Sequence, residues 1–60
     1  MKNIIKYKGF LGSVHFSPDD NLFYGKVEDI NNLVTFEGKT VKELNIAFHY
    51  VIDEHLKDSE

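Results

Sequence analysis

The C-terminal third of the chain has apolar residues at steps of three and four positions. They are Val41, Leu44, Ala47, Phe48, Val51, Ile52 and Leu56. This spacing places one apolar stripe along an amphipathic helix and predicts a helix over residues 41–57. Thr40 followed three positions later by Glu43 predicts a capping box, in which both side chains bond otherwise unpaired backbone amides at the helix start.

Before the helix, apolar and polar residues alternate with a period of two, which is typical of half-buried strands. The alternation predicts strands at about residues 6–17, 22–28 and 33–37. Proline, aspartate and asparagine at residues 17–21 favour a turn between the first two strands, and the polar segment 29–32 separates the second from the third. Short connections between consecutive strands predict a three-stranded antiparallel meander.

A meander followed by a helix predicts an α+β fold with the order β-β-β-α and the helix packed on one face of the sheet. The 60 residues allow one domain, so we expect a single unit over residues 1–60. Such a small domain buries only about 60% of its unfolded surface, which favours support from oligomerisation. The strand face expected to meet the helix consists of Phe10, Val14, Phe16, Phe23, Val27, Val34 and Phe36.

The opposite sheet face is more apolar than a solvated face usually is, which predicts an interface with a partner or a second copy. Its expected members are Tyr7, Leu11, His15, Leu22, Tyr24, Leu33 and Thr35. Two alternatives remain open: these are ordinary single exposed apolar groups, or residues 1–5 fold back across them. Ile46 and Tyr50 form a second helix stripe that either contacts a basic partner or packs against a downstream segment.

Composition narrows the classes of function. The chain has no cysteine, which excludes disulfides, thiol catalysis and cysteine-ligated zinc. Its seven basic residues are all lysine, and ten carboxylates give a net charge of −3. Without arginine or a basic surface, direct nucleic-acid binding by these residues is not expected, whereas a basic protein partner is. No apolar run is long enough to span a membrane and no signal-peptide pattern is present, so a cytoplasmic protein is expected.

No catalytic, metal or cofactor site is expected from the spacing of the polar residues. The carboxylates are distributed over turns and the helix, whereas metal-assisted phosphodiester cleavage needs several at one site. His49 and Asp53 lie four apart on the helix and make only half of a metal site. His55 lies on a different side of the helix, and His15 on the predicted interface face is a candidate for partner contact or titration.

Several segments together resemble one protein family. They are Phe23-Tyr24-Gly25-Lys26-Val27, Ile30, Val34-Thr35-Phe36-Glu37-Gly38, Val41-x-Glu43-Leu44 and Ala47-Phe48 with Asp53 following. This pattern, with Tyr7 to Val14 as a first strand, is similar to the N-terminal domain of HicB-type antitoxins over about residues 7–56. The resemblance implies a partial ribonuclease-H-like fold in a protein that neutralises a small basic HicA-type mRNA-cleaving toxin.

The resemblance also implies elements that residues 1–60 do not contain. Family members usually have a fourth strand after the helix and a DNA-binding segment, so DNA binding is not carried over to these residues. The fourth strand would lie beside the first, and without it the backbone of residues 7–16 is expected to form an open edge. Pairing at that edge, or across the Leu11 and Tyr24 face, would give a dimer or tetramer.

The sequence therefore predicts a binding protein that sequesters a basic toxin and is not an enzyme. A homo-oligomeric scaffold module is one alternative. An inhibitor that uses the same fold against another enzyme is the other. Salt should weaken the two heterotypic interactions more than self-association through apolar surface.

Overall fold

A computed structural model describes residues 3–28, 30 and 33–58 of the chain. The predicted α+β fold is confirmed: strands come first and one C-terminal helix packs against them. The elements are β1 (Ile4–Tyr7), β2 (Phe10–Ser13), β3 (His15–Ser17), β4 (Leu22–Lys26), β5 (Thr35–Gly38) and α1 (Val41–Asp58).

The strands form two small antiparallel sheets that are joined at one point. Strands β3, β4 and β5 make the predicted meander in that order, and β1 and β2 form a hairpin. Gly12 of the hairpin pairs with Val27 just after β4, and the Glu28 N–H donates to the Leu11 carbonyl oxygen at 2.8 Å. Strand β2 therefore lies beside the end of β4, on the same side of β4 as β3.

The prediction of one continuous strand over residues 6–17 is wrong. Lys8 and Gly9 both have positive φ, at 51° and 85°, and they turn the chain back on itself between the paired residues Tyr7 and Phe10. A two-residue turn with both φ values positive matches the right-handed twist of a hairpin. A second interruption falls at Val14, between β2 and β3. The sequence Lys-Gly lacks the asparagine or aspartate that usually marks such a turn. The alternation of apolar and polar residues therefore gave no sign that the strand is interrupted there.

The hairpin corrects two further expectations. Tyr7 lies opposite Phe10, so both side chains are on the same face of the sheet, and Tyr7 packs against the core instead of the predicted interface face. The expected open edge along residues 7–16 is covered in part, because β1 pairs with β2 and the Val14 N–H donates to the Asn3 carbonyl oxygen at 2.9 Å. The N-terminal segment, from Asn3 onward, extends the sheet sideways and does not fold across its outer face.

The turn between β3 and β4 lies where the sequence predicts it. Ser17 pairs with Leu22 across a four-residue connection, and Asn21 adopts the left-handed φ of 52° that asparagine tolerates. The last strand begins at Thr35, two residues later than predicted, and ends at Gly38, one residue later than predicted. In the predicted 29–32 connection, Asp29, Asn31 and Asn32 lie outside the described residues, and so do Met1 and Lys2 in the N-terminal segment.

The core lies between α1 and the inner face of the sheet. Leu44, Phe48 and Ile52, which occupy one stripe of the helix, are fully buried, and the Phe48 ring contacts Phe36 with centroids 4.9 Å apart. Val27 is also buried, as predicted. The partly buried residues around them include Phe10, Val14, Phe23 and Val34 from the predicted core face.

Phe16 is the exception to the predicted core, because 47% of its surface is exposed. Helix α1 lies mainly over β5, with smaller contacts on β4 and β1. Phe16 is on β3, at the far side of the meander from β5, where it packs on the Phe23 ring at 4.9 Å. Alternation placed Phe16 on the correct face of the sheet, but the helix does not extend over that part of the face.

The start of α1 has the predicted cap with one difference. Thr40 Oγ1 accepts a hydrogen bond from the Glu43 N–H at 3.1 Å, as expected for a capping threonine. The Glu43 carboxylate accepts from the Lys39 N–H at 3.0 Å, one residue before the amide that a capping box normally uses. The two bonds hold the β5 end against the first turn of α1.

Among the described residues, no helix combines the length and the apolar character that a membrane crossing requires.

Candidate functional site

Three of the predicted interface residues lie together on the outer face, the sheet surface turned away from α1. His15 pairs with Tyr24 across β3 and β4, and their rings stack with centroids 5.3 Å apart. Leu22 lies two residues before Tyr24 and is therefore on the same side of β4. Tyr24 is 44% exposed, so its ring is available to a partner. The outer face thus has an aromatic centre, as the sequence predicted.

Two helix residues, Ile46 and Tyr50, were also predicted to contact a partner. They lie in a depression that we call the helix groove. It runs between β5 and α1 with a volume of about 450 Å³. Ile46 and Tyr50 are 59% and 64% exposed there, which is high for such large apolar side chains. The groove is lined by Thr35, Phe36, Glu37, Glu43, Ile46, Ala47, Tyr50 and Val51.

Strand β5 joins these two regions into one surface. A shallow cavity of about 410 Å³ on the outer face contains Leu22 and Tyr24 and is also lined by Thr35, Phe36 and Glu37. These same three β5 residues line the helix groove. We call the combined region the β5 surface: the outer face around Tyr24, the edge of β5 and the helix groove. The sequence predicted its two halves separately and did not predict that they are adjacent.

The β5 surface has a negative border. Asp20 lines the cavity on the outer face, Glu43 lines the helix groove, and Glu37 lines both. Neither of these two depressions has a lysine among its described lining residues, whereas Lys26 lines a smaller depression beside Tyr24 and Thr35 on the outer face. Glu37 lies within β5, opposite Tyr24, and belongs to the strand predicted over residues 33–37. Apolar and aromatic groups bordered by three carboxylates and one lysine are suited to a basic partner.

Three predicted interface residues are not part of this surface. Tyr7 faces the helix, as described above. Leu11 is half-buried on β2, four residues from His15, which is roughly 13 Å along an extended chain. Leu33 precedes β5 outside any strand and is 82% exposed. Their position depends on the hairpin and on the bounds of β5, which the alternation alone did not reveal.

A separate polar cluster fastens the β1–β2 hairpin to α1. The Tyr7 ring stacks on His49 with centroids 3.9 Å apart, and its hydroxyl donates to Asp53 Oδ1 at 3.1 Å. Lys8 Nζ forms an ion pair with the same carboxylate at 2.9 Å. The hydrogen bond from Lys8 lowers the pKa of Asp53, and the bond to Asp53 raises the pKa of Lys8. Asp53 is thus engaged by the hairpin and is not among the residues that line the helix groove.

Lys8→Met should raise the pKa of Asp53 toward its ordinary range, because the substitution removes the Lys8 hydrogen bond and its positive charge while the Tyr7 hydrogen bond remains. Carboxyl carbon shifts followed by NMR against pH measure this pKa, with Lys6→Met on neighbouring β1 as the matched control. An unchanged pKa in Lys8→Met would show that the ion pair does not form in solution.

The same contacts predict how stability depends on pH. A carboxyl whose pKa is lowered by folding stabilises the fold above its unfolded value of about 3.9 and loses that contribution as pH falls through the folded value. The wild type should therefore be more stable than Asp53→Asn at pH 7. The difference should narrow as the pH falls below about 4.

The histidines contact aromatic rings of the hairpin and sheet. His49 stacks on Tyr7, and the His55 and Phe10 rings are nearly perpendicular with centroids 5.6 Å apart. Within the described residues, no three histidine, aspartate or glutamate side chains come close enough to hold a metal ion.

Comparisons of the chain with protein-family models, curated proteins and solved structures found no match.

Proposed function

We propose that this protein is an antitoxin-like binding module of the HicB type, which sequesters a small basic HicA-type toxin that cleaves mRNA. The observation that supports this most directly is the β5 surface, where exposed Tyr24, Ile46 and Tyr50 lie between the carboxylates of Asp20, Glu37 and Glu43. Tyrosines are enriched among residues that dominate binding energy, and opposite charge speeds and orients association.

The proposal needs no chemistry from this chain. Covering the RNA-binding surface of a toxin with a negatively charged protein would block its access to RNA by steric exclusion and charge. The net charge of −3 and the absence of arginine support a role in binding a basic protein rather than RNA. Because the toxin would act on mRNA, the proposal places the complex in the cytoplasm.

The test is capture followed by inhibition. The chain is used as bait in a lysate of its source cell at about 0.1 M and 1 M salt, which shorten the Debye length from about 10 to 3 Å. We expect a small basic protein at low salt and its loss at high salt. The purified partner should cleave RNA, and an equimolar amount of this chain should stop the cleavage. A partner that cleaves RNA equally well in the presence of the chain would contradict the proposal.

Tyr24→Ala should weaken inhibition by about 30-fold, since truncating a buried interface tyrosine costs about 2 kcal/mol. The matched control is Leu33→Ala, which removes an apolar side chain that is 82% exposed outside the β5 surface. Equal inhibition by both variants and the wild type would place the toxin elsewhere on the molecule.

The alternative of a homo-oligomeric module is favoured by one observation. Ile4 and Val41, each about half exposed, line a cavity of about 310 Å³ that has no charged residue among its described lining residues. Phe16, which is 47% exposed, packs on the Phe23 ring that also lines this cavity. Burial of this apolar surface against a second copy would not be weakened by salt. Recovery of the bait alone as a dimer at both salt concentrations, and a monomer for Phe16→Lys, would favour that alternative.

A further inference from the structure

Strand β5 is an edge strand with a groove beside it. In the part of the chain that the structure describes, β4 pairs with one side of β5 and no strand pairs with the other. The unpaired side borders the helix groove. An edge strand presents a row of free backbone N–H and C=O groups, and these can pair with an added strand.

The register identifies which backbone groups are free. The Val27 N–H donates to the Val34 carbonyl oxygen at 3.0 Å, so these two residues form a hydrogen-bonded pair of the antiparallel ladder. Such pairs alternate with non-bonded pairs, so the next bonded residue along β5 is Phe36, opposite Gly25. The N–H and C=O groups of Thr35 and Glu37 therefore point away from β4, toward the open side.

The side chains of an added strand would meet two different environments. Residues on one face would lie over the helix groove, against Ile46, Ala47 and Tyr50. Residues on the other face would lie beside the outward side chains of Thr35 and Glu37. Since strand side chains alternate between faces, the surface matches a segment in which apolar and basic residues alternate.

We propose that the open edge of β5 binds an extended segment of a basic partner, with alternating apolar and basic residues, as an additional strand. This rests on the proposed function, because the segment would belong to the toxin. Hydrogen bonds to Thr35 and Glu37 hold the segment in register, its apolar residues fill the helix groove, and its basic residues meet Glu37. The binding mode places the toxin across β5, in contact with both halves of the β5 surface.

The charges favour a basic partner over a second copy at this edge. Two copies of β5 paired edge to edge would bring two sets of Glu37 and Glu43 carboxylates together around one interface. Like charges opposite one another in a sheet are destabilising, and a charged residue on an edge strand is a known means of preventing self-pairing. A basic segment removes this repulsion and replaces it with attraction.

The probe is a synthetic nine-residue peptide of alternating valine and lysine, and the readout is amide hydrogen exchange by NMR. At about 90% occupancy the Thr35 and Glu37 amides should exchange about tenfold more slowly, because exchange then occurs only from the free fraction. The Phe36 and Gly38 amides bond to β4 already and should change little. A peptide of alternating valine and glutamate, and one with the valines and lysines in separate blocks, are the controls.

A backbone variant tests the hydrogen bonds directly. Thr35→Pro removes one N–H on the open side, where proline is tolerated because it costs no bond to β4. It should weaken peptide binding by about tenfold, the value of one hydrogen bond. Thr35→Val keeps the N–H and the β-branched shape, so it should lose much less affinity than Thr35→Pro. Both variants are first checked for an unchanged spectrum of the core residues.

The outcomes separate this inference from the proposed function. Peptide binding without slower exchange at Thr35 and Glu37, no peptide binding, or equal binding by Thr35→Pro would each overturn strand addition. Protection of these amides that rises with protein concentration alone would assign the edge to a second copy and also overturn it. If Thr35→Pro still inhibits the captured toxin as the wild type does, strand addition fails while the antitoxin function stands. If the wild type inhibits no toxin, the proposed function fails.

Discussion

Phe48→Ala should leave the domain largely unfolded at 25 °C. Phe48 is fully buried between the helix and the sheet, and its ring contacts Phe36. Removing a buried phenylalanine side chain costs about 3–5 kcal/mol, from lost burial and the cavity left behind. The core of a domain this small rarely supplies more than about 3–5 kcal/mol in total. The loss is therefore comparable to the entire free energy of unfolding.

Circular dichroism during urea titration measures this effect. Ile46→Ala is the matched control, because it also truncates a large apolar residue of α1, but one that is 59% exposed. Its free energy of unfolding should stay within about 0.5 kcal/mol of the wild type. If Phe48→Ala unfolded cooperatively at a urea concentration similar to that of the wild type, Phe48 would not be buried between α1 and the sheet.

Gly25→Ala should destabilise the fold by about 3 kcal/mol, the upper end of the range for overfilling a packed site. A methyl group at this position of β4 would overlap the carbonyl oxygen of Ser13 and approach the Phe36 ring to 3.0 Å. The Ser13 backbone is held there because its hydroxyl accepts a hydrogen bond from the Lys26 N–H at 3.2 Å. Backbone atoms on both sides would have to move to make room.

Gly9→Ala separates steric overlap from backbone strain. Gly9 has a φ of 85° and open space where the methyl group would lie. Its substitution should therefore cost only the strain of a left-handed alanine, about 1 kcal/mol. Thermal unfolding of both variants gives the comparison. A smaller loss for Gly25→Ala than for Gly9→Ala would contradict the close approach of Ser13 to β4.

The β5 surface depends on the same core packing that Phe48→Ala and Gly25→Ala disturb. Phe36 has its ring in the core beside Phe48, while its strand forms the open edge next to the helix groove. The position of α1 over β5 sets the width of that groove. Core variants should therefore reduce partner binding indirectly, because they destabilise the packing that forms the groove. Thr35→Pro and Tyr24→Ala instead act at residues that are exposed.

The α+β class, the position of α1 and the Thr40 cap could be predicted because each has a local signal. Apolar spacing distinguishes helix from strand within a few residues, and a capping threonine bonds an amide only three residues away. The faces of β2, β3 and β4 were predicted for the same reason. His15, Leu22 and Tyr24 lie on the outer face, where the period of two placed them.

The sequence by itself therefore determined that strands precede one C-terminal helix, the core stripe of α1, the negative charge and the aromatic residues of the outer face. Only the tertiary structure decided the rest. The Lys8-Gly9 turn moves Tyr7 to the helix side, where it meets Asp53, 46 residues away. The placement of α1 over β5 leaves Phe16 exposed and forms the helix groove. The turn is local, but Lys-Gly carries a weak turn signal. The placement of α1 arises from contacts between distant segments, and such contacts leave no period or motif in the chain.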